Sequence, residues 1–459
     1  MQTGQLSVRE VVEAHLRRID DVNPRVNAIV SLDGDRAMDH AEALDRDFAG
    51  RRQDGLPPLY GLPIAHKDTL AATGLPATSG CSVFRTRIAT HDHVVVEREK
   101  AAGAVTLGKT NVPELGLGSH TFNPVFGRTH NPWDLSRSAG GSSGGAAAAL
   151  AARMLPIADG SDTGGSLRTP ASFCGVAGLR PTPGTVPSWP DAQPWSRLSV
   201  KGPLARTIED LRLLFSVQAG DDPRSPVGWG AQIPATDAPA QLEGLRVAWT
   251  PDLGLALPLE PDVLAALEPV IRTLTSAGAA IEQAAPDLTG ATDAFRVLRA
   301  WQLEAALGPL VDEHADQLAE SVLWNVDVGR RLTGPEVGQA ELHSAALHTR
   351  TREFFEDVDL LLCPVVQTAP FPGEWDYPHE LAGVPMDDYL EWMTLPSVVT
   401  MMGCPALSLP VAFTAGGLPV GLQLIGPPRS DRQLLAIAQG IEQLTGVADA
   451  LPPCGTIGA

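Results

Sequence analysis

The spacing of apolar positions changes period several times along the chain, and each change predicts an element. Residues 5 to 20, QLSVREVVEAHLRRID, put Val11, Val12 and Leu16 on one face at helical spacing. A second helix, polar on its outer side, is predicted over roughly Gly34 to Phe48. The short apolar run Tyr60 to Asp68, YGLPIAHKD, reads as a buried strand that delivers His66, Lys67 and Asp68 at its end. Residues 93 to 108 predict a helix followed by a strand, and Ala146 to Met154 a helix whose small side chains permit close packing. Pro170 to Pro187 reads as loop and short strand. Helices follow at Arg206 to Ala219 and Asp262 to Ala277, on either side of a Pro/Gly/Ala-rich connection at 221 to 244 and a strand at Leu245 to Thr250. Residues 285 to 395 hold further helices and the strand Val358 to Val366. A late strand pair, Pro405 to Phe413 and Val420 to Ile425, precedes a closing helix at Ser430 to Leu444. Strands alternating with helices, with a strand pair late on, imply an α/β fold with a large central mixed β-sheet covered by α-helices on both faces.

Composition narrows the class. The 459 residues carry 34 basic and 54 acidic side chains, a formal charge of −20, so the basic footprint of a nucleic-acid binder is missing. No run of about 18 apolar residues suggests a membrane span, and the N-terminal stretch has no signal-peptide core. The five cysteines, Cys81, Cys174, Cys363, Cys404 and Cys454, show neither close pairing nor metal spacing, which fits reduced thiols in the cytoplasm. Lysine occurs only at Lys67, Lys100, Lys109 and Lys201. Where arginine is used so freely, a retained lysine is enriched for positions that need a side chain able to deprotonate.

The chemistry is concentrated in Ala139 to Arg168. Two glycine-serine clusters, Gly140 to Gly145 and Asp162 to Ser166, flank the alanine-rich helix. Glycine at such density lets the backbone turn or approach another group closely. Consecutive N–H groups at Thr163, Gly164, Gly165 and Ser166 could form an oxyanion hole. Gly141 to Gly145 also matches G-x-S-x-G, which would make Ser143 the nucleophile of an α/β-hydrolase-type esterase, with His343, His348 or His379 downstream as its base. A phosphate loop is excluded because no G-K-[ST] follows the glycines. His66 and the triplet His91-Asp92-His93 have no third ligand at useful spacing, so core or solvated histidines are expected rather than a metal site. Asp162 and Arg168 are expected to pair and brace the loop.

A third template uses Lys67, Ser142 and Ser166. GLPIAHKD at 61 to 68, GKTNVPE at 108 to 114, NPW at 131 to 133, AGGSSGG at 139 to 145 and GSDTGGSLR at 160 to 168 together resemble the amidase signature family. The likeness continues through FCGVAGLRPTPG at 173 to 184, GPLARTIEDL at 202 to 211 and the strands from 403 to 426. It implies the amidase signature fold as one domain over 1–459, with a catalytic core at about 55–225, a variable substrate-side cover at about 285–395 and a return to the core at about 400–445. It also implies that Ser166 is the nucleophile, Lys67 the general base and Ser142, on a cis peptide, the relay between them. Ser143 would then fill the turn. The residue types suit these roles. A serine hydroxyl needs a base to become nucleophilic, and lysine serves only where burial lowers its pKa. The resemblance implies an amide hydrolase that works through a seryl acyl-enzyme, with a small-molecule amide as substrate. It implies neither metal nor cofactor, no nucleic-acid or membrane partner, and leaves a homodimer open.

Within the family, a free-standing hydrolase competes with the glutaminase subunit of a tRNA-dependent amidotransferase. After GLRPTPG the chain reads TVPSWPDAQPWSRLSVKGPLART, a Pro/Trp-rich loop that departs from the amidotransferase pattern and favours the hydrolase. Trp189 and Trp195 in that loop could line an acyl pocket or pack on the surface. Gly116, Leu117 and Gly118 occupy the family position that borders the leaving group. A non-catalytic binding protein on this fold would be expected to lack Lys67 or one of the serines, and all three are present.

Overall fold

Alternation along the strands sorts their side chains between two layers of helices. In the strand Leu360–Pro364, Leu360 and Leu362 enter one apolar cluster while Leu361 and Cys363 enter another. The strand pair Ala406–Phe413 and Pro419–Ile425 repeats the division, with Leu407, Leu422 and Leu424 on one side and Ala406 and Ile425 on the other. Helices Ile208–Gln218, Pro261–Ser276 and Asp431–Thr445 fill the first side. Helices Ala291–His314, Gly334–Asp357 and Thr394–Met402 fill the second.

These strands belong to an eight-stranded mixed sheet in a computed structural model that describes residues 5–51 and 55–455. Its order runs Ala280–Gln283, Arg246–Trp249, Leu360–Pro364, Pro419–Ile425, Ala406–Phe413, Ala177–Arg180, Val200–Ala205 and Ile157–Asp162. The first three strands are parallel and every later pairing is antiparallel. The predicted α/β architecture is the observed one. Ser7 and Glu10 form a reciprocal capping box at the start of the first helix, Val8–Val26.

Four strands of the eight- and three-stranded sheets, and one helix, were not legible in the pattern. Ile157–Asp162 reads IADGSD, with a single β-branched residue, and becomes a strand because it pairs along all six residues with Val200–Ala205. Val200–Ala205, Ile29–Leu32 and Ala280–Gln283 likewise take their form from their neighbours. The helix Arg168–Cys174 lies partly in a stretch expected to be loop, despite Pro170. A proline in a first helical turn lacks only an N–H that would have no partner there.

One difference bears directly on the site. The strand Pro63–Lys67 is not part of the large sheet. It pairs in parallel with Val105–Thr110, which pairs antiparallel with Ile29–Leu32, in a separate three-stranded sheet. The two sheets meet where Asp159, on the edge strand of the large one, accepts hydrogen bonds from the Lys67 N–H at 2.7 Å and from His66 Nδ1 at 2.6 Å.

Candidate active site

The seam between the sheets brings Lys67 to the end of a buried strand, facing the glycine-serine loops. Its ammonium is fully buried and donates to three hydroxyls: Ser142 Oγ at 2.8 Å, Ser143 Oγ at 2.9 Å and Ser161 Oγ at 2.9 Å. Three acceptors match the three protons of a charged amine, and a neutral amine can instead accept from one of them. Burial, and then the like charge of Lys201, pull Lys67 down to about 7 against the attraction of Asp162 and Asp159. Gly141–Ser142 is a cis peptide.

Ser142 and Ser166 both line one cleft of about 450 Å³, together with Ser161, Thr163 and Gly164. The hydrogen-bonded chain runs from Lys67 to Ser142 and stops. Ser166 Oγ makes no hydrogen bond among the described residues, although its carbonyl accepts from the Ser143 amide at 3.1 Å. Contacts between catalytic groups often tighten only when substrate is bound.

The loop before Ser166 is held by Asp162. This buried carboxylate accepts from the amides of Gly165 at 2.9 Å and Leu167 at 3.1 Å, and pairs with Arg168 at 2.9 Å and Arg180 at 3.2 Å. Burial opposes its charge, yet the two guanidinium groups hold Asp162 well below the usual carboxylate range. The expected Asp162–Arg168 brace is present, with Arg180 as a second arm. One expectation needs correcting: the Gly165 N–H is already engaged by Asp162. The amides of Thr163, Gly164 and Ser166 have no acceptor among the described residues. Gly165 has φ +117°, and a Cβ there would stand 2.7 Å from Pro396 Cβ, so no other residue fits.

His66 sits behind Lys67. Its Nδ1 lies 2.6 Å from Asp159 and 3.2 Å from Glu99, and its Nε2 lies 3.0 Å from Thr106 Oγ1, all within the protein interior. Burial works against a charged ring, but Asp159 and Glu99 raise His66 to about 9, so it is an imidazolium at neutral pH. The three groups have the residue types of a metal site. Ligands about 2.0 Å from a tetrahedral zinc stand about 3.3 Å apart, however, and 2.6 Å is the spacing of a hydrogen bond. His93 caps the helix Val94–Ala101 by accepting from the Val95 N–H. Burial and then Lys201 lower it to about 3, which keeps it neutral. Both are core histidines.

The tryptophan and elbow readings fail. Trp195 is 75% exposed, and Trp189 lies under the Arg224 guanidinium, 4.5 Å from its ring centre. Neither lines the cleft. The rest of their loop does, through Ser188, Pro190 to Pro194, Ser196 and Lys201. Bulky rings in a Pro-rich loop looked like pocket lining, but the loop turns its small and polar residues inward. Ser143 is fully buried against Lys67, with no histidine hydrogen-bonded to it, so it cannot act as an elbow nucleophile. Nor is it a mere turn residue, because it shares the Lys67 amine with Ser142 and Ser161. Gly116, Leu117 and Gly118 line the cleft as expected, although the first two use their amides in local turns to Pro113 and Glu114.

Several residues at the site gave little sign of themselves in the sequence. Ser161 lies inside a recognisable motif, and Lys201 was one of only four lysines. Arg299 and Gln302 come from a helix, Met393 from a single 3₁₀ turn and Tyr389 from the turn before it, where the pattern reports only packing.

The Amidase family profile matches residues 10–435. An acylamidase of Rhodococcus erythropolis is 37% identical over 98% of this chain and 94% of its own length. One subunit of the glutamyl-tRNA(Gln) amidotransferase of Thermus thermophilus is 36% identical over 98% of this chain and 97% of its own length. Among solved structures, a bacterial aryl acylamidase superposes with a TM-score of 0.90 at 27% identity, covering 98% of this chain and 97% of that one. The chain belongs to the amidase signature family and is a hydrolase of carbon–nitrogen amide bonds.

Proposed function

We propose that the protein is a free-standing amide hydrolase that cleaves a small carboxylic amide to an acid and ammonia or an amine through a seryl acyl-enzyme. The observation that carries this reading is a fully buried Lys67, lowered to about 7 and 2.8 Å from Ser142. At neutral pH a good fraction of its amines are uncharged and basic. Lys67 takes a proton from Ser142, Ser142 takes one from Ser166, and Ser166 Oγ attacks the amide carbonyl. The amides of Thr163, Gly164 and Ser166 receive the developing oxyanion, and each such donor is worth about 2.7–4 kcal/mol in a pre-organised site. The proton returns through Ser142 to the leaving nitrogen, and water reverses the relay on the ester.

No helix among the described residues is long and apolar enough to cross a membrane. With five free, buried cysteines, we place the enzyme in the cytoplasm, acting on a dissolved small molecule, alone or as a homodimer. The glutaminase reading retains one observation in its favour: the amidotransferase relative matches about as closely as the acylamidase does. The purified chain with a panel of simple anilides and with L-glutamine separates the two. The hydrolase reading expects anilide turnover that Ser166→Ala abolishes. Ammonia from glutamine alone, with no anilide turnover, would establish the other.

A further inference from the structure

The wall of the cleft contains a cation without a counter-charge. Four arginines are buried among the described residues: Arg168, Arg180, Arg212 and Arg299. Asp162 pairs with the first two and Asp237 lies 3.7 Å from the third. Arg299, 8% exposed, has no carboxylate within 4 Å among the described residues, and only neutral groups hold it. It donates to Asn325 Oδ1 and Tyr389 Oη and lies 5.5 Å from the centre of the Tyr389 ring. Nearby acids are already matched. Asp388 is gripped by Arg296 at 2.6 and 3.1 Å, and Asp191, the only acid lining the cleft among the described residues, lies 3.6 Å from Lys201. A guanidinium carries five N–H donors, so most of this fork is unassigned, and a buried charge is expected to find a partner.

Its position fits a substrate group. Phe295, on the same helix Ala291–His314, lies against the oxyanion loop, 2.8 Å from where a Cβ on Gly164 would stand. Arg299 follows four residues later on the same face, about 6 Å along the axis. Gln302, Leu303 and Ala306 continue that face along the cleft. We propose that Arg299 is the anchor for a carboxylate carried by the substrate a few bonds from the scissile amide, so that this enzyme prefers anionic amides. This rests on the amide-hydrolase reading above and names its substrate class. The bidentate match of guanidinium to carboxylate supplies both charge and orientation.

The carboxylate could lie on the acyl or the amine side, and paired substrates distinguish them. Succinanilic acid against butyranilide tests the acyl side, and 4-acetamidobenzoate against its methyl ester tests the amine side. The wild type is expected to favour the acid of one pair by about tenfold or more in kcat/KM, mainly through KM. Arg299→Met should collapse that acid-to-neutral ratio toward one, and Arg299→Lys should keep part of it. Equal use of acid and neutral partners in both pairs would overturn the proposal. So would an Arg299→Met enzyme that loses both members of a pair equally, because that is the signature of a structural arginine. Hydrolysis of none of the four by wild type would overturn the free-standing hydrolase reading on which the anchor rests, whereas good turnover of the neutral members without preference for the acids leaves that reading intact and removes only the anchor.

Discussion

In the proposed mechanism, Lys67 can act as a base only because of what surrounds it. An ordinary lysine is charged at neutral pH, and burial together with Lys201 brings this one to about 7. A base must be deprotonated, so kcat/KM should rise with pH through about 7 and flatten above it. Lys201→Met removes a like charge and should move that limb to higher pH; an unmoved limb would exclude Lys67 as the group being titrated. Lys67→Ala should lower kcat/KM by about 10²–10⁴-fold, the usual worth of a positioned base, with the fold intact by circular dichroism. Three residues of the site were legible because long motifs carry them, and the scarcity of lysine drew attention to Lys67 and Lys201. The roles of Ser143 and Ser161 were not legible, because a hydroxyl in a glycine-rich loop looks the same whether it ends a turn or holds an amine. Arg299 was hidden more deeply, since a lone arginine in an amphipathic helix usually faces solvent.

At the scale of elements, the loop before Ser166, proposed to hold the oxyanion, is fixed from two sides. Asp162 ties it to Arg168 and Arg180, while Phe295 and Met393 press on Gly164 at 2.8 and 3.1 Å from a hypothetical Cβ. Asp162→Ala would leave two buried guanidinium groups without a counter-charge, and urea unfolding should show a loss of about 3–5 kcal/mol. A loss below about 1 kcal/mol would mean that the brace is not a stability determinant. Gly164→Ala should cost about 1–3 kcal/mol through overpacking and should lower kcat more than it raises KM, because in the proposed mechanism the displaced amides act on the oxyanion. Periodicity located the helices Val8–Val26, Pro261–Ser276 and Asp431–Thr445 well, because each buries one stripe. It missed the strand Ile157–Asp162, whose Gly, Ser and Asp are there to serve the site and have poor intrinsic strand preference.

At the scale of the whole molecule, two sheets share one charged seam. His66 is raised from 6.5 to about 9, so its pairing with Asp159 contributes stability fully below pH 6.5 and loses it as pH rises through about 9. His66→Gln should therefore destabilise the protein more at pH 6 than at pH 10, and an equal loss at both would mean that the ring is neutral. The division of the strands into two sheets was not legible, since a sequence pattern reports burial and not which strand lies beside which. The central claim is that Ser166 attacks while Lys67 and Ser142 move its proton. Its most direct test is to acylate the protein with a slowly released activated ester and map the adduct by peptide mass spectrometry. The account predicts one acyl group on Ser166 in the wild type, strongly slowed in Lys67→Ala and Ser142→Ala and absent in Ser166→Ala. An acyl group on Ser142 or Ser143, or full labelling without Lys67, would contradict it.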